Sequence, residues 1–237
     1  MNVALIVAAG NSSRFGPGDK QFTALAGRPM LTYSLDAFIG AVSVDTIVIA
    51  VRAEDRPRCR ADIVGSDAPA KPVSIVAGGE DRQKSVAAGL KACPRGVDLV
   101  FVHDGARPLI TSAQIDALAG NLDGFDGLVL AATEPDTMKQ VEDGIIKRTI
   151  PRGEVWRAQT PQLFRHEILA QAHKIAAKAG FAATDDSALV ELMGGRIAIW
   201  PNDQDNLKVT TAIDLKVAEQ ILLERRSRVR GDDIIER

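Results

Sequence analysis

The amino-acid sequence predicts an α/β fold, a mainly parallel sheet with helices on both faces, and two observations carry that prediction. Short apolar runs alternate with segments of helical period, as βα units require. The runs are nearly continuous in Val, Ile, Leu and Ala, the pattern of strands buried on both sides. Strands are expected at Val3–Ala8, Thr46–Val51, Val73–Val76, Leu99–His103, Leu128–Thr133 and Arg196–Trp200. Helices are expected at Met30–Phe38, Gln83–Lys91, Ser112–Asn121, Glu167–Lys178, Asp186–Met193 and Ala212–Glu224.

Two regions break this rhythm. Residues 136–157 alternate briefly around Glu142-Asp143-Gly144, a turn signal that predicts a β-hairpin arm projecting from the sheet. Residues 225–237 are dense in charge and are expected to fray. No repeat, low-complexity linker or second-domain boundary is visible, so residues 1–237 read as one domain.

Composition narrows the function classes. Lys plus Arg total 29 against 31 Asp plus Glu, a net charge of -2, which argues against nucleic acid or an anionic membrane as the main partner. No apolar run reaches a spanning length, and the opening MNVALIVAAG has no basic segment before it as a secretory signal would. Cys59 and Cys93 stand apart from each other and from any His cluster, and read as reduced structural thiols of a cytoplasmic protein.

Two segments carry the chemistry. Val3 to Gly16 starts as a strand and ends in a loop of small residues, which lets backbone N–H groups approach a polyphosphate. Arg14 and Lys20 add positive charge there, although a plain βα turn with two solvated basic residues would look the same. The chain has no GxxxxGK[ST], no clean GxGxxG and no acid after the second strand, where Arg52 stands. These gaps disfavour a P-loop protein and a dinucleotide oxidoreductase.

In Leu99–Pro108 the apolar run LVFV leads to His103 and Asp104. It delivers Asp104 to the carboxyl edge of the sheet, where open α/β sheets bind ligands and a carboxylate can hold Mg²⁺ against phosphates. Arg107 offers a planar fork of donors to a phosphate. The competing reading makes Asp104 a turn cap paired with Arg107, and His103 is read as a packing residue.

Taken in order, AAG…R…KQ, GG(x)5S at Gly78–Ser85, VHDGARP, DTMK, TPQ, TDD and DNLKVT resemble the bacterial and plastid cytidylyltransferases acting on 2-C-methyl-D-erythritol 4-phosphate in non-mevalonate isoprenoid synthesis. The resemblance runs from about Val3 to Leu222. It implies a CTP-dependent nucleotidyltransferase with a Rossmann-like sheet, making 4-diphosphocytidyl-2-C-methyl-D-erythritol and pyrophosphate. It places Ala8, Ala9, Gly10, Gly79 and Ser85 around the nucleoside, and Arg14, Lys20 and Lys208 on the CTP phosphates. Asp104 is implied at Mg²⁺, and Arg107, Thr137, Arg152, Thr160 and Thr184 at the acceptor.

The resemblance further implies a homodimer in which the arm, with Thr137 and Arg152, completes the partner's acceptor site. Taken singly these later residues read as solvated surface or, for Thr184-Asp185-Asp186, as a helix cap. Ser12, Phe15, Asp19, Glu80 and Gly105 depart from the family's usual residues. The rivals are a ribitol 5-phosphate cytidylyltransferase, which would share the nucleotide motifs, and a nucleotide-binding regulatory protein without turnover.

Overall fold

The computed structural model describes residues 1–10 and 20–235, with side chains described as far as residue 228. Arg14, with Ser12, Phe15 and Asp19, lies outside the described residues. The chain opens with β1 (Asn2–Val7), and after a 3₁₀ turn at Lys20–Phe22 forms the short ribbon β2 (Ala24–Leu25) and β3 (Arg28–Pro29). It continues through α1 (Met30–Gly40), β4 (Thr46–Val51), α2 (Arg56–Arg58), β5 (Val73–Ala77), α3 (Arg82–Ala92), β6 (Leu99–Asp104), α4 (Ser112–Ala119) and β7 (Gly127–Thr133). Then follow β8 (Lys139–Glu142), β9 (Ile145–Thr149), β10 (Trp156–Arg165), α5 (His166–Ala179), α6 (Asp186–Leu192), β11 (Ile197–Pro201) and α7 (Ala212–Ile235).

Seven strands form the central sheet in the order β11-β7-β10-β6-β1-β4-β5. All neighbours pair in parallel except β10, which runs antiparallel to β6 and β7. Successive residues of a strand point to opposite faces, and the core divides accordingly. Ala4, Ile6 and Ala8 meet Leu31, Leu35 and Phe38 of α1 and Ile115 and Leu118 of α4 on one side. Val3, Leu5 and Val7 meet Val86 of α3, Leu169, Ala172 and Ala176 of α5 and Leu189 of α6 on the other. Helices therefore cover both faces.

Local signals set the helix starts. Asp81 caps α3 by accepting the Lys84 N–H at 2.7 Å, and Thr111 with Gln114 forms a capping box on α4. Asp185 caps α6 by accepting the Ala188 N–H at 3.1 Å, so the capping reading of Thr184-Asp185-Asp186 holds.

Helix α7 runs through most of the charged tail, to Ile235. Two expectations are corrected. The arm is narrower than residues 136–157, because Trp156 and Arg157 already pair with Thr133 and Ala132 in the central sheet. Its hairpin is β8–β9, closed by Asp143 and Gly144 at φ 51° and 78°, the left-handed pair a tight two-residue hairpin requires. Finally, β10 was not anticipated. Gln159, Thr160, Pro161 and Gln162 interrupt its apolar pattern, and the register shifts between Ala158 and Gln162, where the Thr160–Pro161 peptide is cis.

Candidate active site

Strand β6 ends at the carboxyl edge with Asp104, held buried by its neighbours on the sheet. Its side chain does not pair with Arg107, as the capping reading supposed. Instead Arg82 Nε donates to Oδ1 at 2.9 Å and Lys208 Nζ donates to Oδ2 at 2.6 Å. Burial alone would raise the pKa of Asp104, but the charges and hydrogen bonds of Arg82 and Lys208 outweigh it and hold the carboxyl well below the usual range. Asp104 is therefore ionised at any physiological pH.

Thr160 fixes the strand end. Its Oγ1 accepts the Asp104 N–H at 3.0 Å and lies 3.1 Å from His103 Nδ1. His103 Nε2 lies 3.1 Å from the Arg107 carbonyl, which can only accept, so Nε2 carries the proton and Nδ1 receives the Thr160 hydroxyl. Burial is the main cause of a His103 pKa lowered to about 4. The ring packs edge-on to Phe38. His103 is thus a neutral structural residue, in line with the packing reading.

Lys208 is placed by buried neighbours in its own loop. Asn206 Nδ2 donates to the Thr160 carbonyl at 2.9 Å, and the Val209 N–H donates to the Ala106 carbonyl at 2.8 Å. Both residues are fully buried, which leaves Lys208 between them turned toward Asp104. Arg107 is tethered by Nη1 to the Asn206 carbonyl at 2.7 Å and by Nη2 to the Ala158 carbonyl at 3.3 Å.

These groups border a cavity of about 230 Å³ whose lining includes Arg82, Asp104, Arg107, Thr160, Thr184 and Lys208. Five of the sequence-derived site residues therefore share one space. Buried Arg82 Nη2 and Arg107 Nε have no hydrogen-bond partner among the described residues.

A second group adjoins it. Ser85 Oγ accepts the Gly79 N–H at 3.1 Å and donates to the Asp81 carbonyl at 2.8 Å, which shapes the Gly78–Asp81 turn. A Cβ on Gly78 would come within 2.4 Å of Ala9 Cβ and 2.9 Å of Ser85 Oγ. The turn and the end of β1 are thus in direct apposition, with Ala9 against Gly78 and Ser85. A Cβ on Gly105 would meet Leu31 Cδ1 at 2.8 Å and Gln21 Oε1 at 3.0 Å, so Gln21 of the Lys20–Phe22 turn lies against Gly105, next to Asp104 in the chain.

Two residues fall elsewhere. Thr137 and Arg152 meet each other, with Arg152 Nη2 3.5 Å from Thr137 Oγ1, but both are exposed in the arm and neither lines the cavity. Their expected place is the acceptor site of a partner, and within one copy they stand outside the cavity.

The sequence reading also passed over Arg82, which joins Asp104 to Asp186, and Gln162, whose Nε2 donates to Asp185 Oδ2 at 2.7 Å. One signal for Arg82 was available. It opens α3, where the helix dipole disfavours a cation, so another partner had to hold it.

A mainly parallel α/β sheet with a cationic cavity and an ionised aspartate at its carboxyl edge defines a nucleotidyltransferase-type enzyme. A family model described as 2-C-methyl-D-erythritol 4-phosphate cytidylyltransferase matches residues 2–224, and the chain belongs to that family. The 2-C-methyl-D-erythritol 4-phosphate cytidylyltransferase of Geotalea uraniireducens is 40% identical over 222 residues, covering 92% of this chain and 95% of the relative. The bifunctional enzyme IspD/IspF of Desulforudis audaxviator is 43% identical over 222 residues, which is 93% of this chain and 56% of that protein. This chain thus spans a little over half of the bifunctional relative. The solved 4-diphosphocytidyl-2C-methyl-D-erythritol synthase of Anaerococcus prevotii matches with a TM-score of 0.84 at 26% identity, covering 94% of this chain and 98% of that one.

Proposed function

We propose that the chain joins CTP to 2-C-methyl-D-erythritol 4-phosphate, forming 4-diphosphocytidyl-2-C-methyl-D-erythritol and pyrophosphate. The observation that carries this reading is Asp104, held ionised between Arg82 and Lys208 in a cavity that Arg107, Thr160 and Thr184 complete. In the reaction an oxygen of the acceptor phosphate attacks the α-phosphorus of CTP in line. A new P–O bond forms, the bond to the β-phosphate bridging oxygen breaks, and its electron pair leaves with pyrophosphate. A phosphomonoester is already largely a dianion, its second pKa being about 6, so no general base is needed. This agrees with a His103 that is neutral and fully engaged.

The work left to the protein is to bring two polyanions together and to stabilise charge on the leaving group. Lys208, Lys20 and Arg14 serve the phosphates, while Ala8, Ala9, Gly10, Gly79 and Ser85 receive the nucleoside through backbone groups. Arg107, Thr160 and Thr184 orient the acceptor.

Mg²⁺ fits the donor set. It takes one or two carboxylates and fills its other positions from phosphates and water. Among the described residues Asp104 Oδ2 is held by Lys208 alone, whose side chain is 41% exposed and can exchange this contact for a phosphate. Bound with the nucleotide, the ion would offset the charge of the triphosphate.

The active form is a dimer in this reading. Every residue of β8 and β9 is exposed, including Val141, Ile145 and Ile146. A lone two-stranded hairpin is marginal in water, and apolar residues on it call for a covering surface. A second copy would supply one and would bring Thr137 and Arg152 to the neighbouring cavity. A cytoplasmic location is part of the same reading, supported by the free Cys59 and Cys93. No helix among the described residues is long and apolar enough to cross a membrane.

The test supplies each nucleoside triphosphate with Mg²⁺ and either 2-C-methyl-D-erythritol 4-phosphate or ribitol 5-phosphate, and measures pyrophosphate. Release only with CTP and the methylerythritol phosphate is expected. Release with ribitol 5-phosphate instead, or nucleotide binding without turnover, would replace this reading by one of its rivals.

A further inference from the structure

The two oxygens of Asp104 are held in different ways. Oδ2 meets the half-exposed Lys208, whereas Oδ1 meets a chain of charges that runs into the protein. Arg82 donates from Nε to Asp104 Oδ1 at 2.9 Å and from Nη1 to Asp186 Oδ2 at 2.5 Å. Behind it His173 Nε2 lies 2.8 Å from Asp186 Oδ1. The Asp186 side chain is 1% exposed and that of His173 6%, so neither is a solvated surface group.

The donor and acceptor at each of these three contacts can be assigned. Burial would raise the Asp186 pKa, but Arg82 and the hydrogen-bonded His173 outweigh it and hold the carboxyl below the usual range. An ionised Asp186 only accepts, so His173 Nε2 is its donor. The Asp186 backbone N–H is also taken, by Gln162 Oε1 at 3.2 Å, which ties the start of α6 to β10. Arg82 is a planar fork gripped at two edges by carboxylates on different elements.

We propose that Arg82, Asp186 and His173 are positioning residues for Asp104, fixing Oδ1 from the buried side so that the carboxylate meets a substrate-borne cation through Oδ2 alone. The inference rests on the proposed nucleotidyl transfer for its place in the reaction, but its geometry is independent of which acceptor is used. Without Arg82 the carboxylate is free to rotate, and Asp186 is left as a buried, unmatched negative charge close to the site where phosphates must bind. Removing a supporting partner of a metal-ligating group costs about 10–100-fold in affinity or activity.

The experiment uses the full chain, with Arg82→Ala, Asp186→Asn, His173→Gln and His173→Leu. It measures Mn²⁺ affinity in the presence of CTP, kcat and KM for both substrates, and Tm. Arg82→Ala should lose about 10-fold or more in Mn²⁺ affinity and in kcat. Added guanidinium ion should restore part of both, which a purely structural loss would not allow. His173→Gln keeps an N–H donor and should stay near wild type, while His173→Leu should follow Arg82→Ala in direction.

A folded Arg82→Ala protein with wild-type kcat and Mn²⁺ affinity overturns the proposal. If Arg82→Ala does not fold, equal behaviour of the two His173 variants overturns it. A wild-type protein that binds Mn²⁺ and CTP yet releases no pyrophosphate would defeat the proposed function. The metal-affinity comparison would still decide the role of Arg82.

Discussion

Lys208 Nζ lies 2.6 Å from Asp104 Oδ2, a contact made between residues 104 positions apart. It joins the loop after β11 to the end of β6 and sets the negative centre of the cavity beside a cation that can move. Most of the chemical reading follows from this pair, because Lys208 can leave Asp104 for a phosphate while Arg82 stays.

Lys208→Ala should therefore act on rate far more than on folding. Loss of one positioned charge costs on the order of 10²-fold in turnover, and Arg82 still pairs the buried Asp104 once the partly exposed Lys208 is removed. Lys20→Ala should behave alike. Pyrophosphate release and thermal melting measured on both variants check this. Wild-type turnover in both would remove these lysines from the reaction.

Thr160 predicts a stability effect with a built-in control. Thr160→Val keeps the shape but leaves the Asp104 N–H without its acceptor and His103 Nδ1 without its donor, for a loss of about 1–3 kcal/mol. Thr160→Ser keeps the hydroxyl and should remain close to wild type. Urea unfolding of the three proteins measures the difference, and equal midpoints would mean that the hydroxyl contributes nothing.

Stability should fall with acid in two stages. The folded His103 holds off protonation until about pH 4, against an ordinary value of 6.5, so an unfolded chain binds this proton first. Its contribution is whole above the ordinary value and is lost as pH falls toward the folded one. Asp104 and Asp186 act with the same sign lower down: both are held below the usual carboxylate value, so their contribution disappears as pH drops beneath it. Histidine NMR in metal-free buffer, read with urea midpoints across the same range, tests this. A His103 ring titrating near 6.5 would contradict it.

The arm predicts an assembly. Ile146→Asp places a charge on an exposed apolar strand that the proposed dimer would cover. Light scattering should show a dimer for the wild type and a monomer for the variant, with turnover lost although the cavity residues are untouched. A variant that stays dimeric, or a wild type that is monomeric and fully active, would exclude the arm from the interface.

The sequence was legible where one physical rule dominated. Strands such as Thr46–Val51, apolar after Thr46 and buried on both faces, appear at the expected bounds. Asp104 was legible because an apolar strand ends on it, whereas Lys208 was marked only by the family resemblance of DNLKVT, since a lysine after a turn reads as solvated surface by itself. The strand β10 was hidden because Gln159, Thr160 and Gln162, which line the cavity, together with Pro161 break the alternation that marks a strand. Arg82 was hidden for another reason: its partners, Asp104 and Asp186, lie 22 and 104 positions away, and pattern reading does not span such distances. Thr137 and Arg152 carry no physical signal of a site in the sequence, being exposed polar residues of an arm, and only the family resemblance marked them.

The most direct test is a crystal structure of the chain with CTP and Mg²⁺. The account predicts the triphosphate at the carboxyl edge, with Lys208 on a phosphate oxygen, the metal on Asp104 Oδ2, and Oδ1 still bound by Arg82. A nucleotide seated away from this cavity, with the Asp104–Lys208 pair intact and no phosphate beside it, would contradict the account at its centre.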